Sequence, residues 1–277
     1  MRTAVRVEAA VAGWDVARPT APGRVPGVGL AGFRSRGPRP VDVRVVPHPA
    51  VTLALECGDG PLLVDTATGR QRHGDLAAGY LHGALRVRGA RVECVQIRLS
   101  PVVARAVLGV SPEELNGTMA ALGELCGEGA VARVRERLAE AASWRERFAV
   151  AEEWLGRRAD AGAPVDPEVA RAWDRIVASR GQARIDGLAA EVGWSRKRLW
   201  SRFRSQIGLP PKRAARLVRF DRAAHRLAAG EGPVTVAADG GYVDQSHLHR
   251  DVVAFSGVTP AAVVGGPWMA VDDLAWA

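Results

Sequence analysis

Between Ala183 and Val264 one supersecondary unit is written twice, and no other feature constrains the chain as tightly. Leu188-Ala-Ala-Glu-Val-Gly-Trp194 and Val236-Ala-Ala-Asp-Gly-Gly-Tyr242 match in residue type, each a short apolar run that ends in a Gly-aromatic turn. After each turn the apolar residues fall on one helix face, with Leu199, Phe203 and Ile207 in the first copy and Leu248, Val252 and Phe255 in the second. Both copies close on a glycine followed by proline, Gly208 before Pro210-Pro211 and Gly257 before Pro260. Glycine accepts the left-handed backbone just past a helix end, and proline cannot continue a helix. A short helix, a tight turn and a second helix make a helix-turn-helix, whose second helix can enter the major groove of DNA. Two copies predict two reading helices in one chain.

Ala214, Leu217, Val218, Ala224 and Leu227 recur at helical spacing between the copies, so one continuous helix from Pro210 to Ala229 is expected to fix the units relative to one another. Charge points the same way. From Arg196 to Arg226 there are eleven Arg and Lys residues against the single Asp221, a net +10 where the whole chain carries +8. A basic block on a helical module is the footprint of a surface that neutralises phosphates.

These residues resemble the DNA-binding domain of the AraC family of bacterial transcription regulators. The likeness runs through Leu188-Ala189, Gly193, Ser195, Leu199, Phe203, Gly208, Arg219, Ala223 and Ala237. It continues through Gly241-Tyr242-x-Asp244-x-Ser246-His247-Leu248, Arg250 and Gly257-x-Thr259-Pro260. Upstream, the run from Cys94 to Leu115 and Val46-Pro-His-Pro49 look like the N-terminal domain of a group of actinobacterial regulators of that type. The resemblance implies a sequence-specific transcription regulator with double-stranded DNA as partner, and a regulatory N-terminal domain like the β-rich effector-binding and dimerisation domains of the wider family. A small-molecule effector, RNA polymerase and a second copy of the chain are the further partners it suggests.

Up to about Leu99 the pattern is that of strands, punctuated by Gly and Pro: Val51 to Glu56, Leu62 to Asp65, Leu85 to Arg88 and Val92 to Leu99. Gly58-Asp-Gly60 reads as a hairpin turn between the first two. The Pro-rich runs Arg18 to Pro26 and Gly37 to Pro40 read as loop or edge strand. Helices are expected to begin at Ser100-Pro101 and at Ser111-Pro112-Glu-Glu114, with others over Ala130 to Ala142, Trp144 to Ala161 and Glu168 to Arg180. Ser143 and Asp166 serve as caps, Phe148, Ala151, Trp154 and Leu155 share one face, and Ala172, Ile176 and Val177 brace the first unit. The fold class is thus α+β: a cupin-like barrel or sandwich with trailing helices, then an all-α double helix-turn-helix domain. The expected divisions are 1–161, 162–266 with units at about 185–208 and 233–257, and a C-terminal tail over 267–277, with Ala161-Gly-Ala-Pro164 as the linker. Asp166 to Gly265 is expected to fold and bind DNA as a unit.

On the first reading helix Ser195 caps, Leu199 and Phe203 face inward, and Arg196, Lys197, Trp200, Ser201 and Arg204 are left to face outward. The resemblance puts Lys197, Trp200 and Ser201 at base-reading positions, but has Arg more often at 201 and an apolar residue at 202, where this chain has Ser201 and Arg202. On the second helix Asp244 caps and Gln245, Ser246, His247, His249 and Arg250 are available to the groove; Arg pairs bidentately with guanine and Gln with adenine. Lys212, Arg213 and Arg216 are candidates for phosphate.

Catalysis has no visible carrier: no phosphate loop, nucleophile elbow or kinase signature is present. Neither a metal site nor a cofactor is expected, since of His247, His249 and His225 the first two diverge on a helix, and His48, His73 and His82 lack ligand spacing. Cys57, Cys94 and Cys126 have no CxxC and read as buried thiols, which disfavours the alternative of a DNA-repair alkyltransferase with its activated thiolate. Non-specific nucleoid binding is the other alternative, separated by the ratio of specific to non-specific affinity. With 47% hydrophobic and 25% charged residues, no membrane-length apolar run and a charged start at Met1-Arg2, a folded cytoplasmic protein is expected.

Overall fold

The computed structural model describes every residue except 1–4, 12, 37–39, 59, 61, 66–70, 73, 82, 265–266 and 277. The N-terminal half opens with β1 (Val5–Val11), β2 (Trp14–Pro19), β3 (Val28–Ser35), β4 (Val41–Val45), β5 (Val51–Glu56), β6 (Leu63–Asp65), β7 (Gln71–Arg72), β8 (Leu76–Ala78), β9 (Leu85–Gly89) and β10 (Glu93–Leu99). There follow α1 (Pro101–Leu108), β11 (Met119–Ala121), α2 (Leu122–Cys126), α3 (Glu128–Glu140) and α4 (Trp144–Ala161). The C-terminal half is helical: α5 (Pro167–Ala178), α6 (Ile185–Glu191), α7 (Arg196–Ile207), α8 (Pro211–Ala228), α9 (Pro233–Asp239), α10 (Gln245–Ser256), α11 (Pro260–Val263) and α12 (Pro267–Trp276).

Two antiparallel sheets form the β-domain, ordered β1-β2-β3-β10-β5-β8-β11 and β4-β9-β6-β7. β10 sits inside the larger sheet, pairing with both β3 and β5, and both of its faces are covered. That explains why Cys94 and Val95, adjacent in sequence, are both buried: alternate residues point to opposite faces. Cys94 joins Trp14, Phe33, Val64 and Leu76 between the sheets, whereas Val95, Ile97 and Leu99 face the helices with Leu53, Leu108 and Phe148. The expected sandwich therefore has a second apolar layer, and α1 and α4 supply it.

Several expectations are corrected. Gly58 to Gly60 is no hairpin, since β5 and β6 belong to different sheets; Gly60 bridges Val92, and a Cβ there would lie 2.0 Å from the Ala90 carbonyl oxygen. The Pro-rich run also masked the neighbouring strand β3, whose small residues admit close neighbours: a Cβ on Gly32 would fall 2.4 Å from the Trp144 ring. Ser111-Pro112-Glu113-Glu114 starts no helix. Its capping bonds do form, Ser111 N donating to Glu114 Oε1 at 3.1 Å, but only single-turn bonds follow before Gly117 turns left-handed at φ 76°. Asp166 precedes α5 without capping it through its side chain, because its carboxylate accepts two bonds from Arg202 at 2.8 and 2.9 Å. Val177 is exposed; Val169, Ala172, Trp173 and Ile176 form the buried face of α5 instead.

The segment at Ala161-Gly162 does not separate two cores. A Cβ on Gly162 would meet the Ala106 carbonyl oxygen at 2.2 Å, and one apolar cluster continues from Leu53 and Leu108 through Val165 to Phe203, Phe220 and Val252. Residues 267–276, expected as a tail, form α12, which packs on β1 to β4 and on α8. Among the described residues no helix is long and apolar enough to cross a membrane.

Candidate nucleic-acid interface

The doubled sequence is built twice in the same way. Gly193 and Gly241 both take left-handed backbone, at φ 70° and 73°, and behind them Trp194 N donates to Ala189 O while Tyr242 N donates to Ala237 O. Ser195 Oγ caps α7 by accepting from Arg198 N at 3.2 Å, and Asp244 caps α10 by accepting from His247 N at 2.6 Å. Leu199, Phe203 and Ile207 are buried on α7, as are Leu248, Val252 and Phe255 on α10, against α8 and its Ala214, Leu217, Val218, Ala224 and Leu227. Phe220 of α8 stacks on Phe255 with centroids 4.8 Å apart.

What these faces leave outward matches the sequence reading in most positions. Arg196, Lys197, Trp200 and Ser201 are exposed on α7, Trp200 by 48%, and Gln245, Ser246, His249 and Arg250 are exposed on α10. Trp200 lies in one groove with Lys212, Arg213, Arg216 and Phe255; Arg250 lies in the next with Lys212, Arg216 and Arg219. The start of α8 thus forms a basic wall common to both grooves.

Several of the named residues have partners within the chain: Arg196 donates to Asp186 at 3.1 Å and Arg250 to the Ser246 carbonyl at 3.3 Å, and three more are held as follows. Arg204 donates to Glu113 at 2.7 Å and lies 5.2 Å over the Trp200 ring, which turns it toward the N-terminal half. His247 packs edge-on against Tyr242 at 5.2 Å, and its Nδ1 accepts from Val243 N at 3.4 Å, so its ring is folded back on its own turn. Arg216 donates to Asp251 at 2.7 Å, and Asp251 is only 2% exposed, so Arg216 neutralises a buried acid while lining the groove. No spacing rule links residues 35 apart on two helices, and sequence reading missed this pair. It also missed the part played by Arg202, which donates two bonds to Asp166 at the start of α5.

No activated nucleophile is found among the three cysteines. All are buried free thiols; burial pushes Cys57 up to about 12 and raises Cys94 and Cys126 as well, so none is held as thiolate near neutral pH. The β-domain holds a cavity between its sheets, apolar over Trp14, Phe33, Val87 and Val271, with Arg44, Gln96, Arg98, His48 and Asp272 at its polar side. His73 and His82 lie outside the described residues.

The family model for a helix-turn-helix domain matches residues 188–265. A search of curated proteins found no match to the chain. Among solved structures, ToxT from Vibrio cholerae O395 is similar at 11% identity and a TM-score of 0.45, over 88% of this chain and 98% of that one. The C-terminal domain of AraT, a response regulator from Geobacillus stearothermophilus, is similar at 20% identity and a TM-score of 0.35, over 36% of this chain and 86% of that one. The AraC-like transcriptional activator CuxR is similar at 14% identity and a TM-score of 0.33, over 88% and 89% of the two chains. With the doubled turn, the matched caps and the basic wall already in place, residues 188–265 are an AraC-type helix-turn-helix domain, the DNA-binding module of transcription regulators.

Proposed function

We propose that the chain is a sequence-specific transcription regulator in which a single copy reads two successive major-groove segments, one with α7 and one with α10. Lys197, Trp200 and Ser201 would meet bases from the first helix and Gln245, Ser246, His249 and Arg250 from the second, with Lys212, Arg213 and Arg216 on the phosphates between. Lys212 and Arg216 carry this reading, because they line both grooves and so give the two helices a common phosphate-facing wall. Residues 162–266 would be the DNA-binding part and 1–161 the regulatory part. The apolar cavity between the sheets, with Arg98 and Gln96 beside it, suits a small, largely apolar effector with a polar end.

Selection of binding sites from randomised DNA by the full-length protein, followed by footprinting, tests the reading. The expected result is two short protected blocks about 10 bp apart, since successive major grooves on one face lie one helical turn apart. Arg250→Ala should relax preference in one block alone, at about 1–3 kcal/mol. A single contiguous block, or selection of no motif at all, overturns it.

A further inference from the structure

His48, from the connection between β4 and β5, and His225, from α8, approach one another across Asp272 of α12. The His48 Nδ1–H donates to Asp221 at 2.7 Å, and the His225 Nδ1–H donates to Asp273. Each imidazole therefore has one nitrogen committed to its own carboxylate. The other nitrogens turn to the same place: His48 Nε2 lies 3.3 Å from one oxygen of Asp272 and His225 Nε2 lies 3.4 Å from the other. One ring nitrogen from each histidine and one Asp272 carboxylate oxygen lie within 4.8 Å of one another. A carboxylate behind each histidine fixes its tautomer and orientation, which is the outer arrangement that metal-bound histidines use. Donor atoms bound at 2.0–2.2 Å in a tetrahedron stand roughly 3.3 Å apart, close to the distance of each Nε2 from its own Asp272 oxygen.

Charge makes the same demand. Asp221, Asp272 and Asp273 face these rings, and Arg98 donates to Asp272, so with both histidines neutral the cluster carries an excess of two negative charges. Asp272 is 12% exposed and His48 7%, and groups this buried need a counter-charge close by. One divalent cation supplies it. His225, 29% exposed, leaves a way in from solvent.

We propose that His48, His225 and Asp272 bind one first-row divalent transition ion of the zinc class, which fastens the β-domain and α12 to the helix that joins the two helix-turn-helix units. Imidazole nitrogens with one carboxylate oxygen suit such an ion better than calcium or magnesium, which take oxygen donors. The three ligands come from segments far apart in sequence, so the ion would act as a cross-link between the two halves.

The test uses untagged full-length protein, stripped with chelator and dialysed against Zn2+ and, separately, Co2+. One ion per chain is expected, with Co2+ giving the intense visible bands of low coordination number and Zn2+ raising the melting temperature. His225→Gln should abolish stoichiometric binding, and Asp273→Asn should weaken it 10- to 100-fold by releasing the His225 ring. Circular dichroism reports whether each variant keeps its fold, and the Co2+ spectrum of the parent stands whatever the variants do. Less than one ion per chain at micromolar Zn2+, or equal affinity in a folded His225→Gln variant, overturns the site and leaves the cluster balanced by two imidazolium rings instead. Neither readout depends on DNA.

Discussion

Trp194 and Tyr242 reach back through the same backbone bond over glycines of the same left-handed backbone, so the two helix-turn-helix units share their local construction. Their surroundings diverge. The first unit meets the turn after α1: Arg204 donates to Glu113, Ser205 O accepts from Ser111 Oγ at 2.7 Å, and Gly208 lies against Pro112. The second is tied to α8 instead, through Arg216 to Asp251, Arg219 to the Gly241 carbonyl and Arg226 to Asp239, while Val243 beside its reading helix is 88% exposed. A repeated sequence therefore encodes the unit but not its placement. The β-domain side holds one reading helix directly and reaches the other through α8, so a shift of that side would change the relation between the two helices and not merely move both.

The terminal glycines should break the symmetry most. Gly208 and Gly257 both end their helices in left-handed backbone, at φ 91° and 70°, but a Cβ on Gly208 would stand 2.6 Å from the Pro112 backbone whereas nothing lies within 4 Å of one on Gly257. Gly257→Ala should cost about 1–2 kcal/mol for the left-handed backbone alone. Gly208→Ala adds a clash with main chain that cannot swing aside, about 1–3 kcal/mol more. Urea unfolding of both variants compares them, and equal losses would mean that the turn at Pro112 yields freely to the first unit.

Next in size is the pair that pins the second unit. Arg216→Ala leaves Asp251 buried with no donor on Oδ1, and its Oδ2 already has no hydrogen-bond partner, so a loss of about 1–3 kcal/mol in stability is expected. Lys212→Ala, on the same wall, should leave stability within about 0.5 kcal/mol and reduce the slope of log K against log salt by about 1. If Arg216→Ala leaves stability as little changed as Lys212→Ala does, Arg216 belongs to the basic wall alone and does not pin the second unit.

These contrasts also mark how far the sequence could be read. Periodicity and punctuation are local, so Leu199, Phe203 and Ile207, the caps at Ser195 and Asp244, and the bounds of α4 at Trp144 and Ala161 were all legible. The exposed reading positions followed, since they are what a buried face leaves over. Contacts between distant segments leave no such mark. Glu113 and Arg204, or His48 and Asp272, are ordinary polar residues in sequence, and only the folded chain brings them together. Ser111 to Glu114 shows the converse: the capping signal is present and its bonds form, yet packing ends the turn at Gly117 before a helix can propagate. β3 escaped because Gly29 and Gly32 weaken its strand signature while admitting the Trp276 and Trp144 rings against the sheet.

The smallest expected effect on stability bears most directly on the difference between the units. Arg204 and Glu113 are 45% and 38% exposed, so the pair should contribute no more than about 1 kcal/mol, and Glu113→Gln should barely move the unfolding midpoint. Its effect on DNA binding should be larger. The substitution removes a negative charge beside the first reading helix and frees a guanidinium next to Trp200, so affinity should rise, more steeply at low salt, with the gain confined to the block read by α7. Arg204→Ala in the same background should cancel that gain, and the double-mutant cycle isolates the coupling. If Arg204→Ala weakens DNA binding equally in the parent and in the Glu113→Gln variant, Arg204 already serves DNA and Glu113 does not restrain it. The two units would then be held alike in everything that matters for reading, and the asymmetry would be one of packing alone.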